Sequence, residues 1–331
     1  MRIYFSLSNN GLYRMNHFVN TLKVLGKEII ILNDISSQQL SYSDIWFVDI
    51  ENRGDRYDFF ESNEKIFLDF HGKLIFYSLD DLGENIRHTF MNKKLLKRVD
   101  CFISGNLHPS FALFEIYDKS VLIPRFISEH REWYDTFNVV RDKNIIFYGM
   151  ASSIIRIKAM EILKSFDNSF VGGISSIKAW EDEIRNSHYK GDFWDVDRVE
   201  YLSAEDYTKL LTTSLVSFCP PGLTNWTYRH IESMAAGCSI ISCNLSQSCD
   251  WDFLYKNEVE QLFFYIDNNL KNLKEICEYC LDNYDICIEK GREGYDIYQK
   301  YFSLTKDQTY NDLVWENITN QFSRLGINFG G

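Results

Sequence analysis

Apolar β-rich runs and helical patterns alternate along this chain in two successive rounds, from residue 2 to about residue 267, and that alternation leaves few folds open. Neighbouring parallel strands cannot be joined by a tight turn. They need a crossover, usually a helix, so strand and helix in alternation specify parallel sheets with helices on their faces. The first round places strands at 2–7, 28–32, 45–50, 73–78, 100–104 and 120–124, with helices at 16–25, 59–70, 92–98 and 110–117. The second places strands at 144–148, 169–173, 198–202, 215–219, 239–243 and 263–266, and then turns helical over 268–282 and 285–302. The polar stretch 128–143, with Glu129, His130, Arg131, Glu132, Asp135, Arg141 and Asp142, reads as a linker. The sequence therefore predicts an α/β protein of two doubly wound domains, 1–140 and 141–305, and 331 residues suffice for two separate cores. In the remaining segment, 306–331, a helix over 307–325 carries Tyr310, Leu313, Val314, Ile318, Phe322 and Leu325 at spacings of three and four. That apolar stripe is expected to dock back on the first domain.

Charge narrows the partners. Thirty-five Lys and Arg stand against 47 Asp and Glu, a formal net charge of -12, so the surface repels polyanions and nucleic acid is not expected as a substrate without a strong local basic patch. The best basic cluster is Arg87, His88, Lys93, Lys94, Lys97 and Arg98. It reads first as a solvated helix face and second as a peripheral contact with anionic lipid heads or a phosphate-bearing acceptor. The start, Met1 to Leu7, turns polar too quickly for a signal peptide, and no apolar run reaches the length of a membrane span. The expectation is a cytoplasmic protein, at the inner face of a membrane if the basic cluster is used. Of the eight cysteines, Cys101, Cys219, Cys238 and Cys243 sit in strand-like runs as buried thiols, and Cys277 with Cys280 is a lone CxxC without a His partner. The 25 Phe, 20 Tyr and 7 Trp suit thick sheet cores better than sugar-stacking surfaces.

In an open parallel sheet, ligands bind outside the carboxyl ends of the strands, where loops and helix N-termini offer unpaired N–H groups. The segment Cys219-Pro220-Pro221-Gly222-Leu223-Thr224-Asn225-Trp226-Thr227-Tyr228-Arg229-His230-Ile231-Glu232-Ser233-Met234-Ala235-Ala236-Gly237 is built for that position. Pro220 and Pro221 stop a strand because proline cannot donate to the ladder, and Gly222 permits the turn. A helix then begins near Asn225 or Trp226, and its free amides and positive dipole end favour a diphosphate. Arg229, one turn in, offers a planar fork to the same anion. Glu232, three residues on, lies toward the same side and can accept both hydroxyls of a ribose; the alternative is an Arg229–Glu232 surface ion pair of little energetic value.

Pro-Pro-Gly, then Arg229, Glu232, Ala236, Gly237 and an apolar strand, resembles the C-terminal-domain signature of GT-B glycosyltransferases, especially the exostosin-like and related group-1 forms. The two-domain pattern covers nearly all of the chain, and the specific motif covers about residues 215–245. The resemblance implies two Rossmann-like domains facing across a cleft, the N-terminal one on the acceptor side and the C-terminal one holding a nucleotide-sugar donor such as a UDP- or GDP-sugar. It implies that Glu232 holds the donor ribose. Arg229, with Gly222, Thr224, Asn225 and Thr227, faces the diphosphate, and Ser152, Ser153 and Arg156 add a further phosphate contact. The acceptor would be a hydroxyl of a growing glycan or glycolipid.

Many retaining members carry a second carboxylate eight residues before the ribose glutamate, where this chain has Thr224. An inverting displacement is therefore expected, and it needs a general base; Asp80, Asp81 and His108, each just past a first-domain strand, are the candidates. Asp195-Val196-Asp197 looks like the metal-binding Asp-X-Asp of the other major glycosyltransferase fold, but two sheets of similar size fit an acidic loop better, so no metal and no cofactor are expected. The other readings are a nucleotide-sugar epimerase or hydrolase, a non-catalytic nucleotide- or sugar-binding protein, and a DNA-modifying glycosyltransferase, which the acidic balance disfavours.

Overall fold

The computed structural model describes residues 2–6, 11–32, 44–50, 56–78, 93–105, 116–123, 139–150, 154–176, 199–200, 202–222, 226–245, 254–302, 304 and 308–329. The chain divides into two compact units: Met1–Arg125 with Trp251–Leu254 and Ser303–Gly331, and Phe126–Asp250 with Tyr255–Phe302.

The first unit holds a six-stranded parallel sheet of β1 (Ile3–Ser6), β2 (Ile29–Leu32), β3 (Ile45–Asp49), β4 (Lys73–Ser78), β5 (Cys101–Ser104) and β6 (Ser120–Leu122), ordered β2-β1-β3-β4-β5-β6. Helices α1 (Gly11–Val24), α2 (Arg56–Asp69) and α3 (Lys93–Arg98) belong to its crossovers. Strands β1, β3 and β5 are buried at every residue, which is what a sheet covered on both faces requires of its central members. Gly11 opens α1.

Basic residues near α3 act as carbonyl caps. Arg98 donates to the Phe70 and Gly72 carbonyls and to Asp100, and Lys119 Nζ donates to the Leu96, Lys97 and Val99 carbonyls. A cation at a helix C-terminus satisfies orphan carbonyls and meets the negative dipole end. Arg98 is thus committed to the fold, while Lys94 and Lys97 are exposed. Arg87 lies outside the described residues, as does the side chain of Lys93. No described helix is long and apolar enough to cross a membrane.

The C-terminal helix, α10 (Asp312–Arg324), starts later than the sequence pattern suggests, because Asn311 caps it by accepting from the Val314 amide at 3.0 Å. Val314, Ile318 and Phe322 are buried, each contributing about 1.5–3 kcal/mol, whereas Leu313 of the predicted stripe faces out. The Gln321 side chain accepts from the Leu122 amide at 2.8 Å and donates to the Leu122 carbonyl at 3.0 Å, so it covers the exposed edge of β6 as a further strand would.

The second unit holds a five-stranded parallel sheet of β7 (Asp142–Met150), β8 (Phe170–Ser176), β9 (Ser214–Cys219), β10 (Ser239–Cys243) and β11 (Phe264–Ile266), ordered β11-β10-β9-β7-β8. Its helices are α4 (Ile154–Lys164), α5 (Ala204–Thr213), α6 (Tyr228–Ala235), α7 (Lys256–Leu262), α8 (Leu273–Asp282) and α9 (Tyr284–Tyr301). Of the strand expected at 198–202, residues 199, 200 and 202 are described, and they lie outside the strands of this sheet. Val199 makes one ladder-like bond, its amide to the Ile174 carbonyl at 3.0 Å, and its side chain fills the space beside Gly173. Among the described residues, β9 is the third strand of this sheet in chain order. The seven described cysteines are free and buried, and Cys277 and Cys280 lie in the core of this unit.

Candidate functional site

The order of the second sheet creates a switch point. From β7 the chain runs to β8 on one side, then returns through α5 to β9 on the other side of β7, and continues outward to β10 and β11. Crossovers therefore diverge at the carboxyl ends of β7 and β9, leaving a crevice between them, the usual ligand position in an open α/β sheet. Tyr148 and Gly149 reach it from β7, Arg156 from α4, and the Pro220-Pro221-Gly222 turn from β9.

Helix α6 begins at Tyr228, with Thr227 in extended conformation as its N-cap, rather than at Asn225 or Trp226. Its start is fixed by His230. The Thr227 amide donates to His230 Nδ1 at 3.1 Å, and since a backbone N–H can only donate, the ring proton sits on Nε2, which gives it to Ser242 Oγ at 2.9 Å. Burial, with Arg229 and Arg156 nearby and against the Thr227 carbonyl 3.3 Å from Nδ1, pulls the His230 pKa down to about 3, so the ring is neutral. A neutral acceptor at this capping position leaves the positive helix end uncancelled, where the more usual Glu would oppose it. Trp226 stacks on the His230 ring with centroids 4.9 Å apart. The helix ends where the sequence motif places its stop: Gly237 has φ +66° and the Cys238 amide returns to the Ser233 carbonyl at 2.9 Å.

This start makes Arg229 the second residue of the helix rather than a residue one turn in. Its guanidinium crosses to β7, where Nη2 donates to the Tyr148 carbonyl and Cζ lies 4.8 Å from the Phe147 ring centroid. Gly149 leaves room for this approach: a Cβ there would lie 2.9 Å from Nη2. Arg229 Nε is buried and has no hydrogen-bond partner among the described residues. Burial works against the Arg229 charge, but Tyr207, Cys219 and Glu232 around it outweigh that and raise its pKa.

Arg156, 7% exposed, donates from Nε to the Pro221 carbonyl at 3.1 Å and so ties α4 to the Pro-Pro-Gly turn. Burial, and then the like charge of Arg229, lower its pKa to about 9. Two guanidiniums held together in a largely dry place repel each other, and an anion between them relieves that cost. Cys219 behind them is a neutral thiol, pushed by burial to about 11.

Glu232 is half-buried and does not pair with Arg229: no described ion pair joins them. It accepts instead from the Tyr207 hydroxyl, which lies 3.3 Å from Oε2. Burial raises the Glu232 pKa above the ordinary carboxylate value, with Arg229 and Tyr207 opposing. The surface ion pair weighed as an alternative from the i, i+3 spacing is therefore not what forms.

The structure thus brings Arg156, Arg229, Glu232, Thr227 and the Pro-Pro-Gly turn with Gly222 to the site in the second unit. Ser152, Ser153, Thr224 and Asn225, and the base candidates Asp80, Asp81 and His108, lie outside the described residues. Tyr207 and His230 escaped the sequence reading. His230 stood inside the motif at the third helical position, where a capping-box acceptor belongs; Tyr207 had no signal beyond its place in a helix led by Ser203.

No family model matches the chain, and no curated protein matches it. Solved structures do. TarM is similar at 12% identity and TM-score 0.53 over 86% of this chain, which spans 56% of that structure's length. An alpha-glucosyltransferase in complex with UDP-glucose and DNA containing an abasic site is similar at 11% identity and TM-score 0.56, with 98% of each chain covered. Sucrose-phosphate synthase from Thermosynechococcus elongatus is similar at 12% identity and TM-score 0.56, again over 98% of each. The fold is that of the GT-B glycosyltransferases: α/β, with two Rossmann-like parallel sheets.

Proposed function

We propose that this protein is a glycosyltransferase that holds a nucleoside-diphosphate sugar in its second unit and passes the sugar to a hydroxyl acceptor on a glycan or glycolipid. The observation that carries the reading is the convergence of Arg156 and Arg229 on the amino end of α6, with the Glu232 carboxylate one turn further along. Two cations and a helix N-terminus suit a diphosphate, and a carboxylate at that remove suits the ribose diol. Structures of the same fold were solved with UDP and UDP-glucose, which supports a UDP-type donor.

In the reaction the acceptor oxygen attacks the anomeric carbon, the bond from that carbon to the diphosphate oxygen breaks, and the acceptor proton passes to a base. For the base the chain offers Asp80, Asp81 and His108. Arg156, Arg229 and the α6 amides take up the negative charge that grows on the departing diphosphate, the task a metal ion performs elsewhere. Thr224, standing where retaining relatives of the motif carry a carboxylate, supports inversion at the anomeric carbon.

The test is a thermal-shift screen of UDP, GDP, CDP and their sugars, followed by transfer assays with the stabilising donor. A ligand at about 100 times its Kd adds roughly 2.7 kcal/mol of stability. Transfer is expected to survive EDTA, and the product's anomeric proton coupling is expected to show inversion. Loss of transfer in EDTA with recovery in Mg²⁺ or Mn²⁺, or a retained configuration, contradicts these points. One observation favours DNA as a second acceptor class: the alpha-glucosyltransferase solved with DNA matches over 98% of both chains. The net charge of -12 opposes it, and duplex DNA offered as acceptor, with its salt dependence, separates the two.

A further inference from the structure

Arg229 and Glu232 are spaced for an ion pair on one face of α6, yet they do not form one. Each is held elsewhere: Arg229 on the Tyr148 carbonyl and the Phe147 ring, and Glu232 on the Tyr207 hydroxyl. The hydroxyl comes from a different element, α5, whose position is set independently of the site. Ser203 caps that helix by accepting from the Asp206 amide at 3.0 Å, and Thr208 and Leu211 bury its inner face. Tyr207 precedes these buried positions and is itself half-buried, with its hydroxyl facing both the carboxylate and the guanidinium.

We propose that Tyr207 is a positioning residue for the donor ribose: it holds Glu232 Oε2 so that the carboxylate stays off Arg229 and open to the two ribose hydroxyls. The inference rests on the donor-site reading above. One carboxylate has about four lone-pair positions, so a single phenol leaves room for a diol. Without the phenol, Glu232 is free to close on Arg229, and the pair that forms takes both groups away from the ligand. Tyr207 also helps Arg229 keep Glu232 ionised against the pull of burial.

The experiment compares Tyr207→Phe and Glu232→Gln with the unaltered protein. Affinities are measured for the tightest binder among UDP, GDP and CDP and for its 2′-deoxy analogue, across pH. Tyr207→Phe is expected to weaken the ribonucleotide about tenfold, the size of one hydrogen bond to a charged group. The deoxy analogue should change little, narrowing the ribo-to-deoxy preference by the same factor, and the pH at which affinity is half lost should move up. A general packing defect would lower both ligands together and leave that ratio unchanged. An unchanged ratio in Tyr207→Phe, with Glu232→Gln still impaired, overturns the inference alone. If none of the diphosphates binds, or Glu232→Gln binds them as the unaltered protein does, the donor-site reading falls and the inference with it.

Discussion

Arg229→Gln is expected to lower affinity for the diphosphate form of the donor nucleotide by about 100-fold, while affinity for the bare nucleoside changes little. The side chain is a half-buried guanidinium in contact with a backbone carbonyl and an aromatic face, with a buried Nε that has no partner among the described residues. Charge-assisted hydrogen bonds contribute about 1.5–3 kcal/mol each, and every 1.4 kcal/mol is a factor of ten, so one or two lost bonds give that loss. Arg229→Lys should recover part of it, because a point charge keeps the attraction but not the planar fork. Calorimetric titration with UDP and uridine reads both effects, and a melting curve for each variant reports any loss of fold from the vacated Tyr148 contact. Equal losses for nucleotide and nucleoside would place Arg229 in the scaffold rather than on the phosphates.

Glu232→Gln should separate binding from stability. The Glu232 pKa is raised in the folded protein, first by burial, with the Arg229 and Tyr207 contributions already counted against the rise. A carboxyl with a raised folded pKa binds its proton more tightly folded than unfolded, so its contribution to stability is present below the unfolded value and is lost as pH rises through the folded one. At neutral pH the ionised group therefore costs stability, and Gln, which resembles the neutral acid, removes that cost. The variant is expected to melt at or above the temperature of the unaltered protein at pH 7. The difference should vanish at a pH below the ordinary carboxylate range. Nucleotide affinity moves the other way, falling about 10–100-fold as a charged acceptor of the ribose hydroxyls becomes neutral. Such opposition between stability and function is the mark of a binding group rather than a structural one. A variant that melts lower and binds normally would assign Glu232 to the fold.

Much of this was legible in the chain because it rests on local rules. Each of the six strands of the first sheet overlaps the stretch its apolar run marks, and Gly237 ends α6 because a left-handed turn there needs glycine. What escaped depends on distant partners. In the run at 198–202, the Val199 amide pairs with the Ile174 carbonyl of β8, a partner that strand composition alone does not locate. Arg98 looks like surface charge in the sequence; its carbonyl partners, Phe70 and Gly72, lie nearly thirty residues earlier. The start of α6 depends on His230 serving as a neutral capping acceptor, which the pattern of Glu and Gln at that position does not suggest. Tyr207 is the clearest case. It lies 25 positions before Glu232, and only the return of the chain through α5 to β9 brings the two together.

The claim on which the rest depends is that the amino end of α6 holds a nucleoside diphosphate through Arg156, Arg229 and Glu232. Calorimetric titration of UDP, GDP and CDP into the unaltered protein and into Glu232→Ala tests it most directly. The account predicts saturable binding of at least one diphosphate by the unaltered protein, weakened at least about tenfold by the substitution. Binding of that diphosphate by Glu232→Ala with unaltered affinity, or no binding of any of the three by either protein, would contradict it.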